Sequence, residues 1–448
     1  MSSGPIVRDP KMLRSRTWFD SLEYYSFARR AYLRSEGLTR ESFQGKPVIG
    51  ICNSWSELNH CNIHLRTVAE AVKRGVWQSG GVPLEFPTIS LGEVFMKPTA
   101  MLFRNLMAMD VEESIRANPL DGVVLLCGCD KTTPAQLMGA ASANLPSIFV
   151  TGGPSLSGQY RGSEIGSGTD MRKLFDLYRT GQLSEEGLAE VEECSARSHG
   201  HCMVMGTAST MASIVEALGM TLPGGAAIPA PDSRRLAFAE QCGRRIVDMV
   251  WEDLRPSRIM TRQALENAIT VDMAIGGSTN AVVHLLAIAG RLGIDLALED
   301  FHDISKRTPF LANLRPSGAY LMEDFCYAGG VPAVMKELLP LLHRDAITVS
   351  GHSIETNVMK SECFNQDVIR SLNAPLAPEG GTLVLYGNLA LGTNSKPSMK
   401  SAAQELITFR PIRTMTFRRL SICRCRRMPN LSRFRFPATI WKTNRWAI

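Results

Sequence analysis

The stretch that most constrains this chain is Asp121-Gly-Val-Val-Leu-Leu-Cys-Gly-Cys-Asp-Lys-Thr-Thr-Pro134. Residues 123–126 form a short apolar, partly β-branched run, the pattern of a buried strand. Thr133 and Pro134 offer an N-cap and a proline at the first helical position, which predicts a helix through Gln136, Leu137 and Met138. Between strand and helix stand a thiol, a carboxylate and an amine in succession: Cys129, Asp130 and Lys131. The carboxyl end of a strand is where open α/β sheets bind ligands. A plain turn with one inert cysteine fits these residues equally well, so the stretch alone does not decide.

The same grammar recurs along the chain. Residues 47–52 read as a buried strand, followed by a polar loop and then a helix with Leu65, Val68, Ala69, Ala71, Val72 and Val76 on one face. Gly80-Gly81 ends that helix. Residues 84–89 and 146–150 read as further strands, and residues 104–118 as a helix. Strand, loop and helix alternate, which predicts an α/β fold with a partly parallel sheet. Residues 1–45 are expected to form an N-terminal arm with a helix around 19–34. The main α/β domain is expected over 46–372. It holds a charged helical stretch at 167–197 and helices at 207–218, 234–252 and 282–289. From 373 to 390 the texture becomes strand-like, the start of a β-rich domain. Residues 391–448 are expected to be an aberrant, disordered basic tail, because they lack apolar surface to offset chain entropy.

That tail also explains the overall charge. The formal net charge is +6, yet residues 406–448 carry eleven Lys and Arg and no acid. Without them the rest of the chain stands at −5, which gives no reason to expect a nucleic-acid partner. No apolar run reaches the roughly 18 residues of a membrane span. The first residues lack the apolar core of a secretory signal. The expectation is a cytoplasmic protein without membrane contact. In that compartment the eleven cysteines are read as free thiols or metal ligands, not disulfides.

Three cysteines precede helices in polar loops: Cys61, Cys129 and Cys202. They lie too far apart in sequence for a zinc ribbon, and three thiolates could instead hold an iron–sulfur cluster with one iron position open. Any one of them alone is more often an ordinary buried cysteine. Glu93, Asp130 and Lys131 make a second set. Two carboxylates at strand ends suit a hard cation such as Mg²⁺, and a carbamylated lysine would add a third oxygen ligand. A simple salt bridge is the bland alternative. His60, His199 and His201 flank the cysteines and read as residues that orient ligands, while His284 reads as a satisfied core histidine.

Together, four segments resemble the dihydroxy-acid and sugar-acid dehydratase family. They are Asn59-His-Cys-Asn-Ile-His64, Gly128-Cys-Asp-Lys-Thr-Thr-Pro134, His201-Cys-Met-Val-Met-Gly-Thr-Ala-Ser-Thr-Met211 and Gly276-Gly-Ser-Thr-Asn-Ala-Val-Val-His-Leu285. The resemblance runs over about residues 14–388. It implies a cluster-binding α/β domain followed by a β-barrel domain, assembled as a homodimer or homotetramer. It implies a [2Fe–2S] cluster, in preference to [4Fe–4S], on Cys61, Cys129 and Cys202. It further implies Mg²⁺ on Glu93, Asp130 and carbamylated Lys131. Gly92-Glu93-Val94 and Thr132 resemble the aldonic-acid branch (arabinonate, xylonate or galactonate) more than the branched-chain biosynthetic enzymes. The implied activity is a hydro-lyase converting a 2,3-dihydroxy sugar acid to a 2-oxo-3-deoxy acid. The family pattern fades after residue 390, and the glycine-rich motif carrying the family's serine base does not follow. The expectation is a truncated or frameshifted member with an incomplete barrel and impaired activity, or a non-catalytic cluster-binding remnant.

Overall fold

The structure is a computed structural model and describes residues 8–387 and 390–397. Its centre is a four-stranded sheet of β1 (Val48–Asn53), β2 (Val82–Pro87), β3 (Gly122–Cys127) and β4 (Ser147–Thr151). All neighbours pair in parallel, in the order β2-β1-β3-β4. Strands β1, β3 and β4 are buried along their whole length, which is why they read as unbroken apolar runs. The edge strand β2 is buried at Val82 and Pro83 and then alternates between half-buried and exposed positions.

Helix α1 (Leu65–Gln78) joins β1 to β2, and α2 (Arg104–Ala117) leads to β3. Helix α3 (Thr132–Ala143) joins β3 to β4. The β1-to-β2 and β3-to-β4 steps run in opposite directions across the sheet. Right-handed crossovers therefore put α1 and α3 on opposite faces. Helix α4 (Thr207–Ala217) is buried throughout, as are most residues of α6 (Arg262–Ile275), against which it packs. Helix α5 (Ser233–Trp251) packs along α1. That contact is close: a Cβ on Gly75 would lie 2.0 Å from the Glu240 carbonyl oxygen. Helix α7 (Asn280–Leu292) packs on α3.

Several boundaries differ from the sequence reading. The arm helix runs Tyr24–Ser35, and Arg16–Phe19 forms a separate turn whose Phe19 packs on Phe43 with ring centroids 5.1 Å apart. The arm is also tied to the sheet, because Asp121 accepts from the Ser15 N–H at 2.9 Å and the Val48 N–H at 2.7 Å. The charged stretch is two helices, Thr169–Arg179 and Glu185–Ser195. Helix α3 begins two residues earlier than its cap signal suggests, with Lys131 at the N-cap, and the Thr132 hydroxyl accepts the Cys129 N–H at 2.9 Å. Strand β5 (Thr382–Gly387) pairs antiparallel with β6 (Ala390–Pro397). Of the tail expected over 391–448, residues 391–397 belong to β6 instead of a disordered segment, and residues 398–448 lie outside the described residues. Among the described residues no helix is long and apolar enough to cross a membrane.

Candidate active site

The strand order places a switch point between β1 and β3, since the chain leaves β1 toward β2 and then returns to the other side. Both loops that leave this point carry candidate residues. In the loop after β1, the Asn59 side chain accepts the Cys61 N–H at 3.2 Å and donates to Ser90 Oγ at 3.1 Å. Asn62 donates to the Ser54 carbonyl oxygen at 3.0 Å. These bonds fold the loop back over the end of β3. At that place the facing residue is Gly128, where a Cβ would lie 2.7 Å from Asn62 Oδ1 and 2.8 Å from the Cys61 carbonyl oxygen. Only a residue without a side chain lets the two loops meet so closely.

Where they meet, the Cys61 and Cys129 thiols hydrogen-bond to each other. Cys61 holds its proton firmly because it donates to Cys129, while Cys129 is pulled below the ordinary thiol range by accepting. The third thiol, Cys202, comes from the loop before α4. That loop is pinned where His201 N–H donates to the Gly153 carbonyl at 3.0 Å and Ser155 N–H donates to the His201 carbonyl at 2.8 Å. Burial pushes the Cys202 thiol up to about 11, and the charges of Asp130 and Cys129 act on it in the same direction. Cys52, Cys127 and Cys242 differ: they sit in the core, and burial raises all three, the last two to about 12.

Histidines gather on the same side. His60 Nε2 lies 3.6 Å from Cys61 Sγ, and the His64 and His199 rings stack with centroids 4.5 Å apart. His64 Nε2 bonds the Gly152 carbonyl at 2.9 Å. Burial lowers all four, His64 to about 3 and His201 to about 4, so they are neutral at pH 7.

Glu93, Asp130 and Lys131 are also brought together. Lys131 is buried, with Nζ 3.5 Å from Asp130 Oδ2 and 3.9 Å from Glu93 Oε2. Glu93 is held from its other side, by Thr99 Oγ1 at 3.0 Å and the Ala100 N–H at 3.2 Å. Burial raises Asp130; the Lys131 charge opposes that and the Glu93 charge adds to it.

The donor chemistry can be matched to the groups the resemblance implies. Three thiols close enough for their charges to act on one another suit a thiolate-bound iron–sulfur cluster. Among the described residues no three His, Cys, Asp or Glu side chains are spaced to enclose a single ion, but a two-iron cluster is larger than one ion. The two carboxylates suit a hard cation, and Lys131 suits it once its nitrogen bears a carboxylate in place of the ammonium charge.

Two features escaped the sequence reading. His284 is buried and its Nδ1 accepts from Arg104 Nη1 at 2.8 Å, but Nε2 has no partner, so it is only half satisfied. Burial lowers it to about 2, with the Arg104 and Lys131 charges adding to the effect. Asp272 on α6 is fully buried with both carboxyl oxygens unpartnered, and burial raises it to about 8. No local signal marks Arg104 or Asp272. Near them, Thr207, Ser278 and Asn280 interlink at 2.8 and 2.9 Å at the start of α7.

A parallel sheet with chemistry-bearing loops at its switch point defines an α/β enzyme domain. The profile of the dihydroxy-acid/6-phosphogluconate dehydratase N-terminal domain matches residues 46–357, and the chain belongs to that dehydratase family. It is 53% identical to an L-arabinonate dehydratase of Rhizobium leguminosarum over 395 residues, covering 88% of this chain and 68% of the relative. It is 50% identical to an L-arabonate dehydratase of Azospirillum brasilense over 404 residues, 89% and 69% of the two chains. A dihydroxy-acid dehydratase of Ignicoccus hospitalis is 44% identical over 368 residues, 81% of this chain and 66% of that one.

Proposed function

We propose that this chain is built to remove water from a 2,3-dihydroxy sugar acid, leaving a 2-oxo-3-deoxy acid. The observation that carries this reading is the junction at Cys129-Asp130-Lys131, where one turn serves both donor sets. Cys129 meets Cys61, while Asp130 and Lys131 meet Glu93. When bound, a [2Fe–2S] cluster on Cys61, Cys129 and Cys202 would supply a Lewis acid for the leaving 3-hydroxyl, and Mg²⁺ on Glu93, Asp130 and carbamylated Lys131 would stabilise charge at the carboxylate and 2-hydroxyl.

The chain's own residues set the stage. Thr132 fixes the turn through the Cys129 N–H, and Thr99 and Ala100 fix the Glu93 carboxylate. Burial of Cys61, Cys129 and Lys131 keeps water away and strengthens the charge interactions around them. The net reaction breaks C2–H and C3–O bonds, and the enol tautomerises to the oxo acid. Removing the C2 proton needs a base. The family resemblance puts that base on a serine in the barrel motif, so cluster binding and turnover are separable properties of this chain.

The experiment is anaerobic purification followed by assay with arabinonate, xylonate and a branched-chain 2,3-dihydroxy acid. Brown protein that forms oxo acid from an aldonate supports the reading. Turnover of the branched-chain acid alone supports the biosynthetic alternative. Colour without any oxo acid supports cluster binding without catalysis, and colourless, inactive protein sinks all three. Assembly as a homodimer or homotetramer belongs to the same proposal, and light scattering at the mass of a single chain would refute it.

A further inference from the structure

Two buried donors lie by the Lys131 pocket without an acceptor. An imidazole that accepts at Nδ1 carries its proton on Nε2. In His284 the Nδ1 accepts from Arg104 at 2.8 Å, so the unpartnered Nε2 is a stranded donor. Arg104 Nε is buried and unpartnered as well. Burial without an acceptor is unfavourable for such donors.

Their position is fixed by the chain around Glu93. Arg104 opens α2 one turn after Ala100, whose N–H holds Glu93 Oε2 at 3.2 Å. That same oxygen is 3.9 Å from Lys131 Nζ, and the Lys131 charge is near enough to contribute to lowering His284, after burial and Arg104. Helix α7, which carries His284, packs on α3, whose N-cap is Lys131. Lys131 as an ammonium adds further donors beside these two unpartnered ones. Its two ion pairs, at 3.5 and 3.9 Å, are well beyond the 2.7–2.9 Å of a charge-assisted hydrogen bond. Neither neighbouring carboxylate reaches Lys131 Nζ at hydrogen-bond distance.

We propose that His284, locked in one tautomer by Arg104, is a positioning residue whose Nε2–H donates to the carboxylate formed on Lys131 Nζ. In forming that group, the uncharged nitrogen adds to the carbon of CO₂. One C–O π pair becomes an oxygen lone pair, and the displaced N–H proton leaves to solvent. The donor holds one oxygen of the new carboxylate and leaves the other for a cation. This inference rests on the reading of Lys131 given under the proposed function and adds the group that orients it.

The test uses the full chain, His284→Leu and His284→Gln, each divided into one sample with ¹³C-bicarbonate and diamagnetic Mg²⁺ for carbon NMR and a separate sample with bicarbonate and Mn²⁺ for electron paramagnetic resonance. Glutamine can accept from Arg104 and donate with its amide; leucine can do neither. Carbon NMR reads the carbamate resonance, and electron paramagnetic resonance reads free Mn²⁺. Expected is a wild-type resonance that disappears in His284→Leu together with about tenfold or greater loss of Mn²⁺ affinity, and that returns in His284→Gln to within about threefold. Circular dichroism should be the same for all three. A leucine variant with wild-type resonance and affinity overturns the inference while leaving the Lys131 reading standing. A wild type without the resonance overturns both. If leucine prevents folding, the glutamine variant decides: natively folded but without the resonance, it refutes the donor role.

Discussion

Asp272 gives the sharpest energetic prediction. Its carboxyl lies on α6 beneath the Gly276-Gly277 turn, so close that a Cβ on Gly277 would stand 2.0 Å from Asp272 Oδ1. With neither oxygen hydrogen-bonded, burial alone raises it from 3.8 to about 8. The sign follows from linkage. Between pH 3.8 and about 8 the folded chain keeps this proton and the unfolded chain has lost it, so stability falls as pH rises. Below pH 3.8 both states are protonated and the penalty is absent; above about 8 it is complete. One pH unit within the window is worth a little over 1 kcal/mol by linkage, so moving from pH 5 to pH 7 costs about 3 kcal/mol. Asp272→Asn keeps the shape and removes the titration. Urea unfolding of both proteins at pH 5, 6 and 7 isolates this one group, because all other titrations cancel in the difference. The variant should gain on the wild type by about 3 kcal/mol across that range. A difference that stays constant with pH would refute the claim that Asp272 is buried without a partner.

Other substitutions read other parts of the molecule. Gly75→Ala forces α1 and α5 apart against a backbone carbonyl and should destabilise by about 1–3 kcal/mol, seen as a lower thermal midpoint; an unchanged midpoint would show that the contact is slack. Cys129→Ser should leave anaerobically purified protein without iron–sulfur absorbance, whereas Cys127→Ala, two residues away in the core, should keep it; equal colour in the two would deny the distinction. Lys131→Ala should keep that colour but weaken Mg²⁺ binding, measured by calorimetry, by about tenfold or more, and unaltered affinity would remove Lys131 from the cation site.

What could be read from the sequence was local. A buried parallel strand announces itself as an apolar run, and the abrupt change to Cys129, Asp130 and Lys131 after β3 marks a loop rich in reactive groups. The thiols could be picked out the same way, since Cys61 and Cys202 stand among polar residues while Cys52 and Cys127 stand inside strands. What could not be read was set by contacts far apart in the chain. Arg104 and His284 are 180 positions apart, and neither has a neighbour in sequence that hints at the other. Asp121 reads as a polar residue before a strand, yet it gathers backbone donors from Ser15 and Val48, 106 and 73 residues away. Asp272 is the extreme case. A polar residue in an apolar helical pattern normally points to solvent, and only the packing of α4 and the Gly276-Gly277 turn over it shows that it does not.

The strand order explains why the reactive residues are scattered in sequence yet meet in space. Reversing direction between β1 and β3 opens a gap at their carboxyl ends that no crossover helix covers. The loops leaving β1 and β3 must both border that gap, so residues near 61 and 129 become neighbours whatever lies between them. Gly128 then determines how near they come, because any side chain there would meet Asn62 Oδ1 and the Cys61 carbonyl within 2.8 Å. Past Gly128 the chain turns into α3, and in a turn consecutive side chains diverge. Cys129 is directed to Cys61, while Lys131 at the helix N-cap is directed to Glu93. The spacing between the thiol set and the carboxylate set is therefore a property of one strand-to-helix turn.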